Sequence, residues 1–268
     1  MNRNLYYKEL KRNRTNLFLW TSIVLVFTIL VMSIFPYMKN VGNEMAEILS
    51  KMPAGMMKAM GLDGQTFNSI LGLYNTYYGV YIVVLLAIFS SSTGATIISK
   101  EEKNKTAEFL LTKPISRKSI FSTKVLTLFT LSLIAYMIQT ISAILFVIVL
   151  GGDSVKWSIF ITMHLHGLLL IVFFSCVGLF LSMLLKPNRN FMGIVVGIVF
   201  GSYFLNAIAK TTESIQWIGY LSPFHYLNFD LYDSNYSTNF PMIGITLLIS
   251  VALIVAAYKI FEKKDIST

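Results

Sequence analysis

The residues able to do chemistry in this chain are few and poorly placed for catalysis. His164 and His166 form the closest pair of imidazoles, but residues two apart on a helix point about 200° away from each other, so they cannot hold one metal ion together. Both are expected to be polar residues buried at a helix interface. Glu101, Glu102 and Glu108 are candidates for acid–base work, yet they lie among lysines, where a solvated surface charge is the ordinary state of a carboxylate. No Gly-x-Ser-x-Gly, His-Glu-x-x-His or related signature occurs, and neither does the Gly-x-x-x-x-Gly-Lys-Ser/Thr loop that cradles nucleotide phosphates. The chain is therefore expected to have no catalytic, metal-ligating or cofactor-binding residue of its own. Any nucleotide-driven work would come from a partner. The lone Cys176 excludes an intrachain disulfide.

The elements that would position these residues are membrane helices. Of 268 residues 55% are hydrophobic and 13% charged, with mean hydropathy +0.65, whereas soluble domains carry about 25% charged residues. Six apolar runs, at about 17–36, 72–98, 126–150, 157–185, 191–209 and 241–261, are each long enough to cross about 30 Å of hydrocarbon. Continuous apolar runs in lipid mean helices. The expected fold is an all-α integral membrane protein, a single transmembrane domain over residues 1–268 with six spans. The first run follows a basic stretch but has no small-residue cleavage site, so it reads as a retained helix rather than a signal peptide. No carboxylate falls inside any of the six runs. Proton- or sodium-coupled carriers usually need one, which weighs against a self-powered carrier and an intramembrane enzyme.

Basic residues set the orientation. With six spans both termini share a side, and 17 of the 22 Lys and Arg residues lie there, giving it a charge of +11 against −2 on the other side. Both termini are expected to be cytoplasmic, in a bacterial cell membrane. The basic excess needs only topology and anionic lipid for its explanation, and no nucleic acid is implied.

Three connections are longer than a turn requires. Residues 1–16 are basic and mildly amphipathic and are expected to form a surface helix on the inner face. In 36–71, Met38, Val41, Met45, Ile48 and Met52 recur at spacings of three and four opposite Asn40, Glu44, Glu47 and Lys51, which predicts an amphipathic helix. Pro53 then suits the first turn of a second short helix ending near Gly61. The outer segment 210–240 is dense in aromatics, among them Trp217, Tyr220, Phe224, Tyr226, Phe229, Tyr232 and Tyr236. It predicts a re-entrant or surface helix broken near Pro223. Gly193, Gly197 and Gly201 make a small-residue ladder on the fifth span, which suits either packing within the chain or a dimer seam. Ser90, Ser91, Ser92 and Thr93, with Thr96, are hydroxyls that either bond their own helix or line a path.

The long charged interruption, 98–124, is where a soluble partner would dock. Its Glu101 and Glu102, Thr106-Ala-Glu108, Leu110-Leu111, Pro114-Ile-Ser-Arg117 and Lys124 resemble the loop after the second span of type-2 ABC-exporter permeases. The likeness extends to Leu49–Gly61 with its Pro53, to Leu221-Ser-Pro-Phe224 and to Phe261-Glu-Lys-Lys-Asp265. Lys105 stands where that family usually has glycine. The resemblance implies a permease subunit that forms a translocation path as a homo- or heterodimer, with two separate ATPase subunits carrying ATP and Mg. It implies a coupling function for the loop 99–125, carried by Glu101, Glu102, Thr106, Glu108, Leu110, Leu111, Pro114, Arg117 and Lys124. The N-terminal helix would add a second contact with the ATPase. The family's cargo ranges over drugs, peptide antibiotics, ions, lipids and glycans. The competing expectation is a membrane anchor or sensor that binds a cytoplasmic partner without transporting.

Overall fold

The computed structural model describes residues 2–62, 66–67, 69–106, 115–151, 155–186, 189–227, 229 and 238–264. The predicted loop residues Glu108, Leu110, Leu111 and Pro114 lie outside the described residues, as do Tyr232, Tyr236, Asp265 and parts of the two short turns near 152 and 187. Six helices are long and apolar enough to cross a membrane, and no strand occurs among the described residues. They are α1 (Arg3–Asn40), α4 (Ile70–Ile97), α6 (Arg117–Gly151), α7 (Trp157–Leu184), α8 (Phe191–Ala209) and α10 (Phe240–Lys263). Shorter helices lie between them: α2 (Gly42–Ser50), α3 (Ala54–Met60), α5 (Ser99–Lys103) and α9 (Pro223–Tyr226). The chain is a multi-pass membrane protein.

Two expectations about helix ends change. The N-terminal basic stretch does not form a separate surface helix; it is the first part of α1, which continues unbroken to Asn40. No Gly or Pro interrupts residues 3–35, so nothing stops helix propagation between the basic and apolar parts. The third span likewise begins at Arg117 rather than near 126, so Arg117 and Lys124 belong to a span helix and not to the loop. The connection after the first span does fold as two short helices. Pro53 stands at the N-cap of α3 and Gly61 ends it at φ 67°, the left-handed conformation that glycine adopts without a Cβ penalty. In the connection after the fifth span, a 3₁₀ helix over Glu213–Leu221 gives way to α9 at Pro223.

The most buried spans, α4 and α7, form the centre of the bundle. They approach closely because of two glycines. A Cβ on Gly178 would stand 2.0 Å from the Ser91 carbonyl oxygen, and one on Gly94 2.7 Å from that of Ser175. Helix α10 also packs on α7, α1 packs on α6, and α8 leans on α4. The large apolar core runs through this centre. A second, smaller one (Leu5, Ile97, Ile120, Phe121, Leu179 and Phe261 among its members) closes the end where both termini and the loop meet. We call this the basic end.

Candidate functional site

At the basic end the start of α1 is fastened to α6. The Asn2 side chain caps α1 by accepting from the Leu5 amide at 3.0 Å, while the Asn2 amide donates to Thr123 Oγ1 at 3.0 Å. This places Leu5 and Glu9, one turn apart, on the inward face. Leu5 enters the small apolar core, and Glu9 lies just above it, 2% exposed.

A buried carboxylate must be paired, and Glu9 is paired on both oxygens. Lys124 Nζ donates to its Oε1 at 2.9 Å and Lys100 Nζ to its Oε2 at 2.6 Å. Lys124, 1% exposed, has three N–H donors and three acceptors around it: Glu9 Oε1, Glu101 Oε1 at 3.1 Å and the Ile97 carbonyl at 2.7 Å. That carbonyl belongs to the last residue of α4, so Lys124 also caps that helix end. Glu101, on α5 and 9% exposed, completes the network. Arg12 Nη1 donates to its Oε1 at 2.9 Å and the Thr106 hydroxyl donates to its Oε2.

Burial pushes the Glu101 carboxyl up, but Lys124, the Thr106 hydroxyl and Arg12 outweigh it and hold the group at about 2. Burial pulls Lys100 down, and the Glu9 carboxylate only partly offsets this. An ion cluster of this kind gains little over apolar packing, but removing one partner strands a buried charge at a cost of about 3–5 kcal/mol. The network therefore specifies geometry: it fixes segments around residues 9, 100 and 124 against one another.

The remaining contacts join the C-terminus to the same platform. Lys264 Nζ reaches Glu102 Oε1 at 2.7 Å. Arg117 Nη1 donates to the Glu262 and Lys264 carbonyls at 3.0 and 2.9 Å, covering acceptors that the end of α10 leaves without intrahelical partners. Past α5 the chain turns through Lys105, the one non-glycine residue with positive φ among those described, at 54°. The Thr106 amide then closes on the Glu101 carbonyl at 2.9 Å. A left-handed backbone of this kind is one that glycine adopts without a Cβ penalty and lysine does not.

The structure thus brings together Glu101, Thr106 and Lys124, and places Glu102 and Arg117 beside them on the C-terminal contacts. It corrects the picture of Glu101 as a solvated surface charge. Glu9 was missed by the sequence reading. Its signal was a lone acid among Lys8, Lys11 and Arg12, four residues after Leu5 and so on the apolar face of an amphipathic helix.

The other predicted residues lie elsewhere. Ser90, Ser91 and Thr93 are buried, Ser92 is half-buried and Thr96 exposed; Thr93 and Ser92 donate to the Phe89 carbonyl at 2.8 and 2.9 Å. On α8, a Cβ at Gly193 would meet only the Asn190 side chain, and one at Gly197 or Gly201 would meet nothing within 4 Å. His164 and His166 are buried in α7. His164 Nδ1 lies 2.9 Å from the Phe160 carbonyl and Nε2 3.4 Å from the Tyr74 hydroxyl. Gln139 Nε2 donates to that same hydroxyl at 2.6 Å, and the Tyr136 hydroxyl donates to the His164 carbonyl. Among the described residues no group of three His, Cys, Asp or Glu side chains gathers to hold a metal ion.

Residues 3–266 match the family model described as ABC-2 family transporter protein. The uncharacterized membrane protein YdbK of Bacillus subtilis (strain 168) is 27% identical over 223 residues, an alignment covering 79% of this chain and 89% of that protein.

Proposed function

The chain belongs to the ABC-2 transporter family, and from that premise we propose that it is the permease subunit of an ATP-driven exporter, powered by two separate ATPase subunits. ATP and Mg are held by those partners. The basic end faces the cytoplasm of a bacterial plasma membrane, as the positive-inside rule requires. The observation that carries this reading is the Glu9–Lys124–Glu101 network, which welds the loop to α1, α4 and α6. A loop pushed by a docked ATPase moves spans only if it is rigidly joined to them. Glu101, Glu102 and Thr106 with Arg117 and Lys124 form that joint, and Glu108, Leu110, Leu111 and Pro114 supply the docking segment.

The second half of the path is another permease subunit, identical or related. The open ladder of Gly197 and Gly201 supports α8 as the seam, because a bare glycine face allows close approach of a second helix. Of the hydroxyl run on α4, Ser92 and Thr96 are the members left open to a path.

The test is affinity purification of the full chain from its native membrane in mild detergent. A stoichiometric ATPase subunit is expected, with its yield lowered in Glu108→Lys while membrane insertion is unchanged. Recovery of a folded chain without any ATPase would move the assignment to a non-transporting anchor or sensor. For the seam, Gly197→Leu should lower the yield of crosslinked dimer and leave the subunit itself as stable as before.

A further inference from the structure

Span α4 is two helical halves joined by a distortion. Tyr78–Ile82 is the one π-helical turn among the described residues, and in it the Val83 amide donates to the Tyr78 carbonyl five residues back. Such a turn holds one residue more than the α-helix around it and is found most often at functional sites. The halves on either side are held differently. Val83–Ile97 is locked to α7, where a Cβ on Gly94 or Gly178 would strike the opposite backbone, and Lys124 caps its last carbonyl. Ile70–Tyr77, at the end away from the charge network, is tied instead to two connections from distant parts of the chain.

Two neighbouring residues make the ties. Thr76 Oγ1 donates to the Gly61 carbonyl, at the end of α3, at 2.8 Å. Asn75 Nδ2 donates to the Phe229 carbonyl, past α9, at 2.7 Å. A hydroxyl has one proton to give, and the Gly72 carbonyl of the same helix lies 3.2 Å from Thr76 Oγ1, so this tie has a substitute acceptor waiting. The Phe229 ring also lies on the distorted turn. A Cβ on Gly79 would stand 3.0 Å from it, and the ring meets Tyr78 edge-on with centroids 5.7 Å apart. A cavity of about 40 Å³ adjoins Gly79 and Val80, which leaves the turn loosely packed on that side. Ile70–Tyr77 carries no charge, so moving it strands no ion.

We propose that Asn75 and Thr76 latch both connections to the bundle and that the π turn beneath them is the point where α4 yields to release the latch. When the turn resolves into regular α-helix, Ile70–Tyr77 turns by one residue step, about 100° and about 1.5 Å along the axis. Asn75 and Thr76 then leave the Phe229 and Gly61 carbonyls together, which frees α3 and the backbone at Phe229. Val83–Ile97 stays where α7 and Lys124 hold it. As a device of transport the latch rests on the permease reading, in which the freed end is the far end of the path; its opening needs no partner chain.

Hydrogen exchange read by mass spectrometry on the purified full chain in lipid nanodiscs tests this. In the wild type the amides of Ile70–Ile82 should exchange faster than those of Val83–Ile97, and in step with Gly61, Leu62, His225 and Leu227, whose bonds close α3 and α9. Deleting Val80 removes the extra residue and leaves a continuous α-helix with both ties in place. Exchange at all of these positions should then slow toward the rate of Val83–Ile97. Thr76→Val removes the hydroxyl at nearly constant volume and carries the test if the deletion does not fold. It should speed exchange at Gly61 and Leu62 by about tenfold, while Thr76→Ser leaves it unchanged. The proposal is overturned if the folded deletion variant exchanges like the wild type, if Ile70–Ile82 exchanges no faster than Val83–Ile97, or if Thr76→Val changes nothing at Gly61 and Leu62. Exchange needs neither ATPase nor substrate, so these outcomes strike the latch alone, whereas a folded chain recovered without an ATPase strikes the permease reading and leaves the latch.

Discussion

Lys124, at the basic end, and Tyr74, near the start of α4 toward the opposite end, both sit at the hub of a buried polar cluster, and the two clusters are finished differently. Around Lys124 both oxygens of Glu9 and of Glu101 accept a hydrogen bond, and all three lysine donors are used. Around Tyr74, Gln139 Nε2 donates to the tyrosine hydroxyl and the neighbouring Tyr136 hydroxyl donates to the His164 carbonyl, but Gln139 Oε1 has no partner. The physical reason is the cost of failure. A stranded ion in a buried site costs several kcal/mol, a stranded neutral oxygen about 1–3. Ions therefore come with closed networks, and a closed network of ions drawn from distant parts of the chain makes a rigid joint. The neutral cluster leaves slack. The five-residue π-helical turn at Tyr78–Ile82 lies beside it in α4, a distortion that recurs at places where helices do work. The basic end of this molecule is built to transmit position and the region around Tyr74 is built to adjust.

The largest test of that contrast is Lys124→Met. It leaves Glu9 and Glu101 buried with one fewer cation and is expected to destabilise the detergent-solubilised protein by about 3–5 kcal/mol in denaturant unfolding. Combining it with Glu9→Gln should recover much of the loss, giving strongly non-additive effects in a double-mutant cycle. Wild-type stability in Lys124→Met alone would show that the cluster is not closed.

Acid should attack the same cluster. Folding lowers the Glu101 pKa from the ordinary 4.5 to about 2, so its contribution is complete above pH 4.5 and disappears as pH falls through that window. The difference corresponds to about 3 kcal/mol. The melting temperature should therefore fall between about pH 5 and 2, with a shallower slope in Glu101→Gln.

In the neutral cluster the effects shrink. Tyr74→Phe removes the acceptor of the Gln139 amide and should cost about 1–2 kcal/mol, well below Lys124→Met. An equal loss at the two sites would abolish the distinction drawn here. Smallest is Lys105→Gly, which relieves the left-handed backbone at φ 54°. It is expected to stabilise the loop by about 1 kcal/mol, read as slower proteolysis after residue 103.

Much of this architecture is legible in the chain. The six spans follow from apolar runs that only helices can carry through lipid, and Pro53 and Gly61 bracket α3 because their backbones allow little else. The unbroken α1 and the early start of α6 were less legible, since polar residues at helix ends look the same whether the helix stops or continues. The loop residues Glu101, Thr106 and Lys124 stood out by motif. Their burial did not, because pairing with Glu9 spans more than a hundred positions and no local pattern encodes it. Ser91 illustrates the same limit: its enclosure depends on Gly178 across the α4–α7 crossing.

The most direct test of the rigid joint is a pulsed spin-label distance between Lys8→Cys on α1 and Lys103→Cys on α5, both exposed positions, with Cys176 replaced by Ser. The account predicts one narrow distance distribution in the otherwise wild-type protein and a broad one once Lys124→Met is added. A broad distribution from the start, or a narrow one that Lys124→Met leaves untouched, would contradict it.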